Sequence, residues 1–395
     1  MLFRYRTLLV TAVLSLPCLA QVQWDDSLLK PYVIDHRAAT SSPADVSFLH
    51  DAPAGKDGYI RVQGGHFLKP DGKRIRFWGV HLTDWSPGSI ELPAKEDTPM
   101  WARTLARYGV NIVRLHFVDK WAPTGITDGN VGDPYDISLD PVRMTEMAAG
   151  ALMFLRGDVK PARQTVERTY SMEQVLDAGM LPGGLRPGSE QPYFTPGFPL
   201  ALPLEHAVRI KSFDGPATAQ LTASGANPIV SDTRELSWYT SGAKTGLVTV
   251  ETDHAQALIG FIEANRKTLK NLGADIANNF AAIVLTSLDD EPLARSGRML
   301  LNACSRVANT DQKWNDAHSE LGRGGQGHSP TLIEPVTGTV TLRGIEGAQS
   351  VSAAALDGSG KPIGDPIAGK KTAAGWEIAV GAPVTTWYVV TVARK

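Results

Sequence analysis

Polar and aromatic side chains lie at the ends of two apolar runs of this chain and directly after them, and their types suit the binding of a polar ring. The runs are Arg76–Leu82 and Asn111–His116. Arg and His side chains can hold hydroxyls or a carboxylate in place, and Trp offers an apolar face to a sugar ring. Asp84 and Asp119 are the acids at these ends, and they are the candidates for a catalytic pair. The full set is His81, Asp84, Trp85, Arg114, His116, Asp119 and Trp121.

A helix between the two runs would bring these side chains together. Thr98–Pro99 predicts its start, with a hydroxyl cap followed by proline, and Gly109 predicts its end. Two buried parallel strands joined by a crossover helix are the beginning of a (β/α)8 barrel, whose chemistry lies at the C-terminal strand ends. All seven side chains would then lie at the same open end of the barrel. The alternative is a salt bridge at the strand ends, with the Trp side chains packed in the core.

The stretch between Trp121 and Pro228 is too short for the six βα units that would complete a barrel, which need roughly 180 residues. Residues 122–142 read as a loop, 146–156 as a short apolar helix or strand, 159–178 as a helix, and 179–203 as irregular. A whole barrel takes about 250 residues, and no alternation of long helices with buried strands follows Trp121. From about Ala207 the pattern becomes all-β, with short runs rich in Val, Ile, Thr and Trp between turn residues.

The predicted fold class is therefore an α/β fragment, the start of a TIM-like barrel, followed by a β-sandwich, mixed but β-dominated overall. Residues after the glycine-rich link Gly322–Gly327 form either a second β unit or the closing strands of the first. The predicted segments are a signal peptide (1–20), an N-terminal arm (21–57), a partial barrel (58–145), a connector (146–206), a β-sandwich (207–321) and a C-terminal β unit (328–395).

Composition and the N-terminal residues limit the classes to which the protein can belong. The formal net charge of −2 carries no basic surplus, so the sequence predicts no nucleic-acid partner. Two arginines, an apolar stretch and a small-x-small site before Gln21 are typical of a signal peptide cleaved near Ala20. The apolar stretch is too short for a membrane span, so we expect a secreted or periplasmic protein. Cleavage leaves Cys304 as the one cysteine, which we expect to be a buried apolar residue.

The chain resembles bacterial secreted cellulase-like glycosidases related to glycoside hydrolase family 5. The resemblance rests on RFWGVHL and LARYGVNIVRLHFVD near the start, and on LMFLRGDVKPARQTVERTYS, SLDDEPLARSGRMLL and LIEPVTGTVTL further on. It implies hydrolysis of O-glycosyl bonds in a β-linked polysaccharide, with Arg114 and His116 at substrate-contact positions. The resemblance also implies two catalytic Glu on later barrel strands. Neither Glu can be assigned, because the sequence runs from Leu139–Pro141 straight to the segment that follows the barrel.

Other candidate residues have ordinary structural explanations. Four acids lie on predicted helices and read as solvated: Glu146, Asp158, Glu167 and Glu173. Asp289–Glu291 reads as a charged turn. Asp128, Asn130 and Asp133 could supply oxygen ligands to Ca²⁺, but an ordinary polar loop is the favoured interpretation. Four tryptophans could form a sugar-stacking platform or belong to the core: Trp238, Trp314, Trp376 and Trp387. The sequence predicts neither a metal site nor a cofactor.

Three interpretations stay open. The chain is a glycosidase-like protein whose catalytic centre is missing, a noncatalytic carbohydrate-binding or surface-structural sandwich, or a deletion product. Its partner would be a polysaccharide or oligosaccharide, and the pattern leaves its oligomeric state open.

Overall fold

Strands dominate the computed structural model of the protein, which describes residues 24–37, 41–51, 53–82, 95–115, 137–173, 198–199, 201–216, 218, 221–240, 245–314 and 325–394. The strands in chain order are β1 Lys30–Pro31, β2 Arg61–Gln63, β3 His66–Leu68, β4 Gly79–Leu82, β5 Ile112–Leu115, β6 Thr165–Thr169, β7 Ala207–Ser212, β8 Ile229–Val230, β9 Leu236–Tyr239, β10 Leu247–Glu251, β11 Ala255–Gly260, β12 Leu272–Ile276, β13 Ala281–Ser287, β14 Arg298–Cys304, β15 Val307–Thr310, β16 His328–Ile333, β17 Gly338–Leu342, β18 Ala348–Ala355, β19 Ile367–Ala368, β20 Lys370–Lys371, β21 Trp376–Val380 and β22 Trp387–Arg394.

Four α-helices lie within the described residues: α1 Thr98–Arg107, α2 Pro141–Arg156, α3 Leu202–Glu205 and α4 Ile262–Asn265. The longest, α2, begins where the Asp140 carboxylate accepts hydrogen bonds from the backbone N–H groups of Val142 and Arg143. It ends at Gly157, whose φ of 75° is the left-handed conformation that favours glycine. The short apolar segment expected at 146–156 is therefore the C-terminal part of a longer helix.

A nine-stranded antiparallel sheet forms the centre of the fold, in the order β19-β18-β22-β14-β13-β11-β10-β9-β8. A four-stranded sheet, β12-β17-β21-β20, covers one of its faces. Alternate residues of the central strands point into the space between the sheets, as the two-residue period of a strand requires. The inward-facing residues of β14 and β22 include Met299, Leu301, Tyr388 and Val390, all fully buried.

Helix α2 covers the opposite face of the nine-stranded sheet. Its buried Ala148 and Leu152 belong to the same apolar cluster as Leu300 of β14 and Val389 of β22. The far side of α2 packs against the N-terminal part of the chain, where the rings of Trp78 and Phe154 lie 5.8 Å apart. Small residues allow this close packing, since a Cβ on Gly109 would lie 2.2 Å from the Cβ of Ala151. The helix is thus buried between two layers.

Helix α1 links two strands that pair in parallel, β4 and β5. This arrangement is the strand, helix and parallel strand that the sequence predicted for residues 76–116. No third strand joins the pair within the described part of the chain. The structure therefore supports a β-dominated mixed fold, and the larger barrel of which this pair would be the beginning stays a prediction.

Two expectations for the rest of the chain have definite outcomes. The helix expected over 159–178 is wrong at its centre, because Thr165–Thr169 forms strand β6 and pairs in parallel with β7. Two threonines and a valine favour this strand, since β-branched side chains fit a pleated sheet better than a helix. After residue 327, strands β17 to β22 belong to the nine- and four-stranded sheets, with β22 directly beside β14. Strand β16 instead pairs with β15 and β1 in a three-stranded sheet.

We predict that Gly109→Ala destabilises the protein more than Gly72→Ala. Both glycines have a φ of +82°, but a Cβ on Gly72 would meet nothing within 4 Å, whereas one on Gly109 would strike Ala151. The left-handed backbone alone should cost about 1–2 kcal/mol at either site. The clash should add roughly 1–3 kcal/mol at Gly109. Urea unfolding of both variants measures the difference, and equal losses would contradict the close contact between Gly109 and α2.

Candidate functional site

Two of the seven predicted site residues lie side by side in the structure. His81 of β4 and Arg114 of β5 are register partners in the parallel pair, and both side chains are exposed. Register partners on neighbouring strands share a face of the sheet. The other five lie outside the described residues: Asp84, Trp85, His116, Asp119 and Trp121. The geometry therefore supports a polar pair at this strand end, and the acid pair proposed from the sequence is untested.

Asn111 fixes the alignment of these two strands. Its side-chain oxygen accepts a hydrogen bond from the Trp78 N–H at 2.8 Å, and its side-chain amide donates to the Arg76 carbonyl at 2.9 Å. Gly79 allows the strands to approach, since a Cβ there would lie 2.5 Å from a methyl carbon of Ile112. Sequence reasoning missed Asn111, although a side chain with both donor and acceptor next to a predicted strand was a usable signal.

Glu146 is half-buried rather than solvated, which corrects the expectation for this residue. It lies on α2 where the helix faces the central sheet. Burial raises its pKa from 4.5 to about 7, a hydrogen bond with the Cys304 thiol partly offsets this shift, and the nearby Asp140 carboxylate adds to it. Cys304 itself is fully buried, as expected, and burial raises the pKa of its thiol. The position of Glu146 on the helix next to Cys304 leaves its side chain only partly in contact with water.

The remaining acids have local structural roles. Asp158 is buried and accepts hydrogen bonds from the Arg156 guanidinium at 2.7 and 3.2 Å, so it is not solvated either. Glu167 forms an ion pair with Arg209 at the surface. Asp289 closes the turn between β13 and β14 by accepting from the backbone N–H groups of Gly297 and Arg298, at 2.6 and 3.1 Å. The charged turn expected at 289–291 is confirmed.

Trp238, Trp376 and Trp387 do not make a common binding platform. Trp376 and Trp387 are buried on the two opposite faces of the central sheet, in separate apolar clusters. Trp387 donates a hydrogen bond from its indole N–H to the Tyr32 hydroxyl at 3.0 Å. Trp238 on β9 is exposed over 41% of its surface and lies apart from both. The core interpretation of Trp376 and Trp387 is the one that the burial supports.

A groove that the sequence did not predict lies at the open end of the sandwich. It has a volume of about 300 Å³ and lies between strands β9 and β10 and the segment 267–269 that leads into β12. Ser237 and Thr249, which pair across the two strands, line its floor. The residues around them that carry charge or an aromatic ring are Arg234, Glu235, Tyr239, Glu251 and Lys267.

The charges of this groove are held apart from one another. The Lys267 ammonium lies 4.5 Å from the centroid of the Tyr239 ring, a cation–π contact. One Glu235 oxygen accepts a hydrogen bond from the Lys160 N–H at 2.7 Å. Among the described ion pairs, none joins Arg234 or Lys267 to Glu235 or Glu251. Donors and acceptors therefore surround one hollow without cancelling each other.

Comparison with models of known protein families, with curated proteins and with solved structures gave no match. No helix of the described ranges is long and apolar enough to cross a membrane. Over the same ranges, no three His, Cys, Asp or Glu side chains are grouped to hold a metal ion. The loop residues Asp128, Asn130 and Asp133 lie outside them.

We predict that Glu146→Gln stabilises the protein above pH 7 by about 1–3 kcal/mol. The folded state raises the pKa of this carboxyl, so it binds the proton more tightly than the unfolded chain does. The contribution of the Glu146 carboxyl to the free energy of unfolding is fully present below about pH 4.5, and it is lost as the pH rises to about 7. The free energy of unfolding of Glu146→Gln should not fall in this way when it is measured across the same pH range. The exposed Glu173→Gln serves as the control, and equal pH profiles for Glu146→Gln and the parent would contradict the burial effect.

Proposed function

We propose that the protein is a carbohydrate-active protein of the glycoside hydrolase family 5 kind, acting on O-glycosyl bonds of a β-linked polysaccharide. The observation that carries the proposal is the parallel pairing of β4 and β5, which brings His81 and Arg114 together at one strand end. Imidazole and guanidinium groups are suited to holding sugar hydroxyls. The resemblance of these segments to secreted cellulase-like proteins supports the same substrate class, and the signal-like N-terminus supports export.

Hydrolysis would need two carboxyl groups, roughly 5 Å apart for retention or further apart for inversion. Asp84 and Asp119 are the acids that the sequence offers at the strand ends. Three of the described acids serve elsewhere: Glu146 faces the buried Cys304, Asp158 binds Arg156, and Asp289 closes a turn.

The second candidate function is noncatalytic carbohydrate binding by the β-sandwich. The groove between β9, β10 and residues 267–269 favours it, because hydroxyl, carboxylate, ammonium and aromatic groups are the partners that a sugar uses. In this case the protein would retain polysaccharide without cleaving it.

Release of reducing sugar from soluble β-glucan separates the two functions. We expect turnover by the parent chain if it is a hydrolase, and loss of at least about a hundredfold for Asp84→Ala or Asp119→Ala if these are the acids. No turnover, combined with retention on insoluble polysaccharide, would overturn the enzyme proposal and leave the binding function. Neither turnover nor retention would overturn both.

We predict that His81→Ala and Arg114→Ala each weaken retention on insoluble β-linked polysaccharide, by roughly tenfold in Kd. Each change removes donors from the same strand end, and both side chains are exposed, so the fold should persist. The matched controls are His66→Ala on β3 and Arg103→Ala on α1, which alter exposed residues of the same types elsewhere. Equal losses in the controls would show that the strand end has no special part in binding.

A further inference from the structure

The groove at the open end of the sandwich exists because the two sheets differ in size. Nine strands form one sheet and four form the other, and β12 is the edge strand of the smaller sheet. Buried Gln256 of β11 contacts Asn271, next to β12, through a hydrogen bond of 2.8 Å to the Asn271 N–H. The smaller sheet thus reaches β11 and leaves the inner face of β9 and β10 partly uncovered.

The residue types on this inner face change where the cover ends. Leu247 of β10 is fully buried in the core between the sheets. Two and four positions further along the same face come Thr249 and Glu251. Ser237 of β9 lies across from Thr249, and Glu235, just before β9, lies across from Glu251. The inner face thus changes from apolar to charged within four residues of Leu247.

The charge balance of the groove indicates a neutral ligand. Arg234 and Lys267 contribute two positive charges, and Glu235 and Glu251 contribute two negative ones. A ligand of one charge would meet as much repulsion as attraction. A ligand with many hydroxyls could both donate to the carboxylates and accept from the cations, since each hydroxyl does both.

The Tyr239 ring is only partly available to stack against a sugar. Lys267 lies over one face of the ring, and Tyr239 also packs against the sandwich core. Recognition in this groove therefore depends on hydrogen bonds to charged side chains, which are stronger than those between neutral groups. A volume of about 300 Å³ is at the lower limit of small-molecule sites, so it suits a short segment or an end of a chain.

We propose that this groove binds a short segment of a neutral β-linked sugar chain, with Glu251 and Lys267 as its main hydrogen-bonding groups. The inference rests on the proposed function in taking carbohydrate as the ligand class, and it adds a site separate from the β4–β5 strand end. The groove contributes binding and takes no part in bond cleavage.

Titration of the full chain with soluble β-1,4-linked hexasaccharides of glucose, xylose and mannose tests the site. For whichever sugar binds, Glu251→Gln and Lys267→Met should each raise Kd roughly tenfold, as loss of a charged hydrogen bond does. Both residues are exposed, so neither change removes a core side chain. Glu346→Gln and Lys370→Met are the matched controls, because they alter exposed residues of the same types that do not line the groove. Each should leave Kd within about twofold.

Salt dependence separates a neutral ligand from a charged one. Raising NaCl from about 50 mM to about 500 mM should change Kd by less than about twofold, because screening acts mainly on charged partners. A much larger change would overturn the assignment of a neutral sugar.

The outcomes distinguish failure of the groove from failure of the proposed function. If the chain binds a hexasaccharide but Glu251→Gln and Lys267→Met bind as the parent does, the groove is overturned and the function stands. If no hexasaccharide binds while insoluble polysaccharide is retained, the groove is again overturned alone. If neither form binds, both proposals fail.

Discussion

Burial of the nine-stranded sheet on both faces is the constraint on which the rest of the structure depends. The smaller sheet covers one face and α2 covers the other, so β14 and β22 carry apolar residues on both of their faces. Such strands lack the alternation of apolar and polar residues that is typical of a sheet with one solvent-exposed face. The N-terminal elements are positioned by this layering, because they pack on the far side of α2 through Trp78 and Gly109.

Both candidate sites lie where this coverage stops. The β4–β5 pair is the outermost layer, and it presents His81 and Arg114 at its surface. The groove lies beyond the edge strand β12, where inner-face positions of β9 and β10 turn from Leu to Thr, Ser and Glu. The Glu251 carboxylate at this end stays exposed to water, whereas burial of the same charge in the core would be costly.

Local patterns in the sequence were sufficient for several elements and insufficient for others. The α1 region followed from its cap, its proline and Gly109, and strands such as β17 and β21 followed from short β-branched or aromatic runs between turns. Strand β6 was missed because its pairing with β7, some forty residues later, decides its conformation. The groove and the burial of Glu146 depend on which distant strand or helix lies opposite, and no local pattern carries that information.

The hydrogen bond from Trp387 to Tyr32 joins residues 355 positions apart. Tyr32 and Ile34 belong to the same apolar cluster as α2 and β22, and β1 pairs with β16. Tyr32 therefore lacks its Trp387 partner until the last strand has been synthesised. Contacts of such long sequence separation slow folding, because the entropy of closing the intervening loop is lost before they form. The position of the N-terminal segment in this core thus depends on the end of the chain as well as on its beginning.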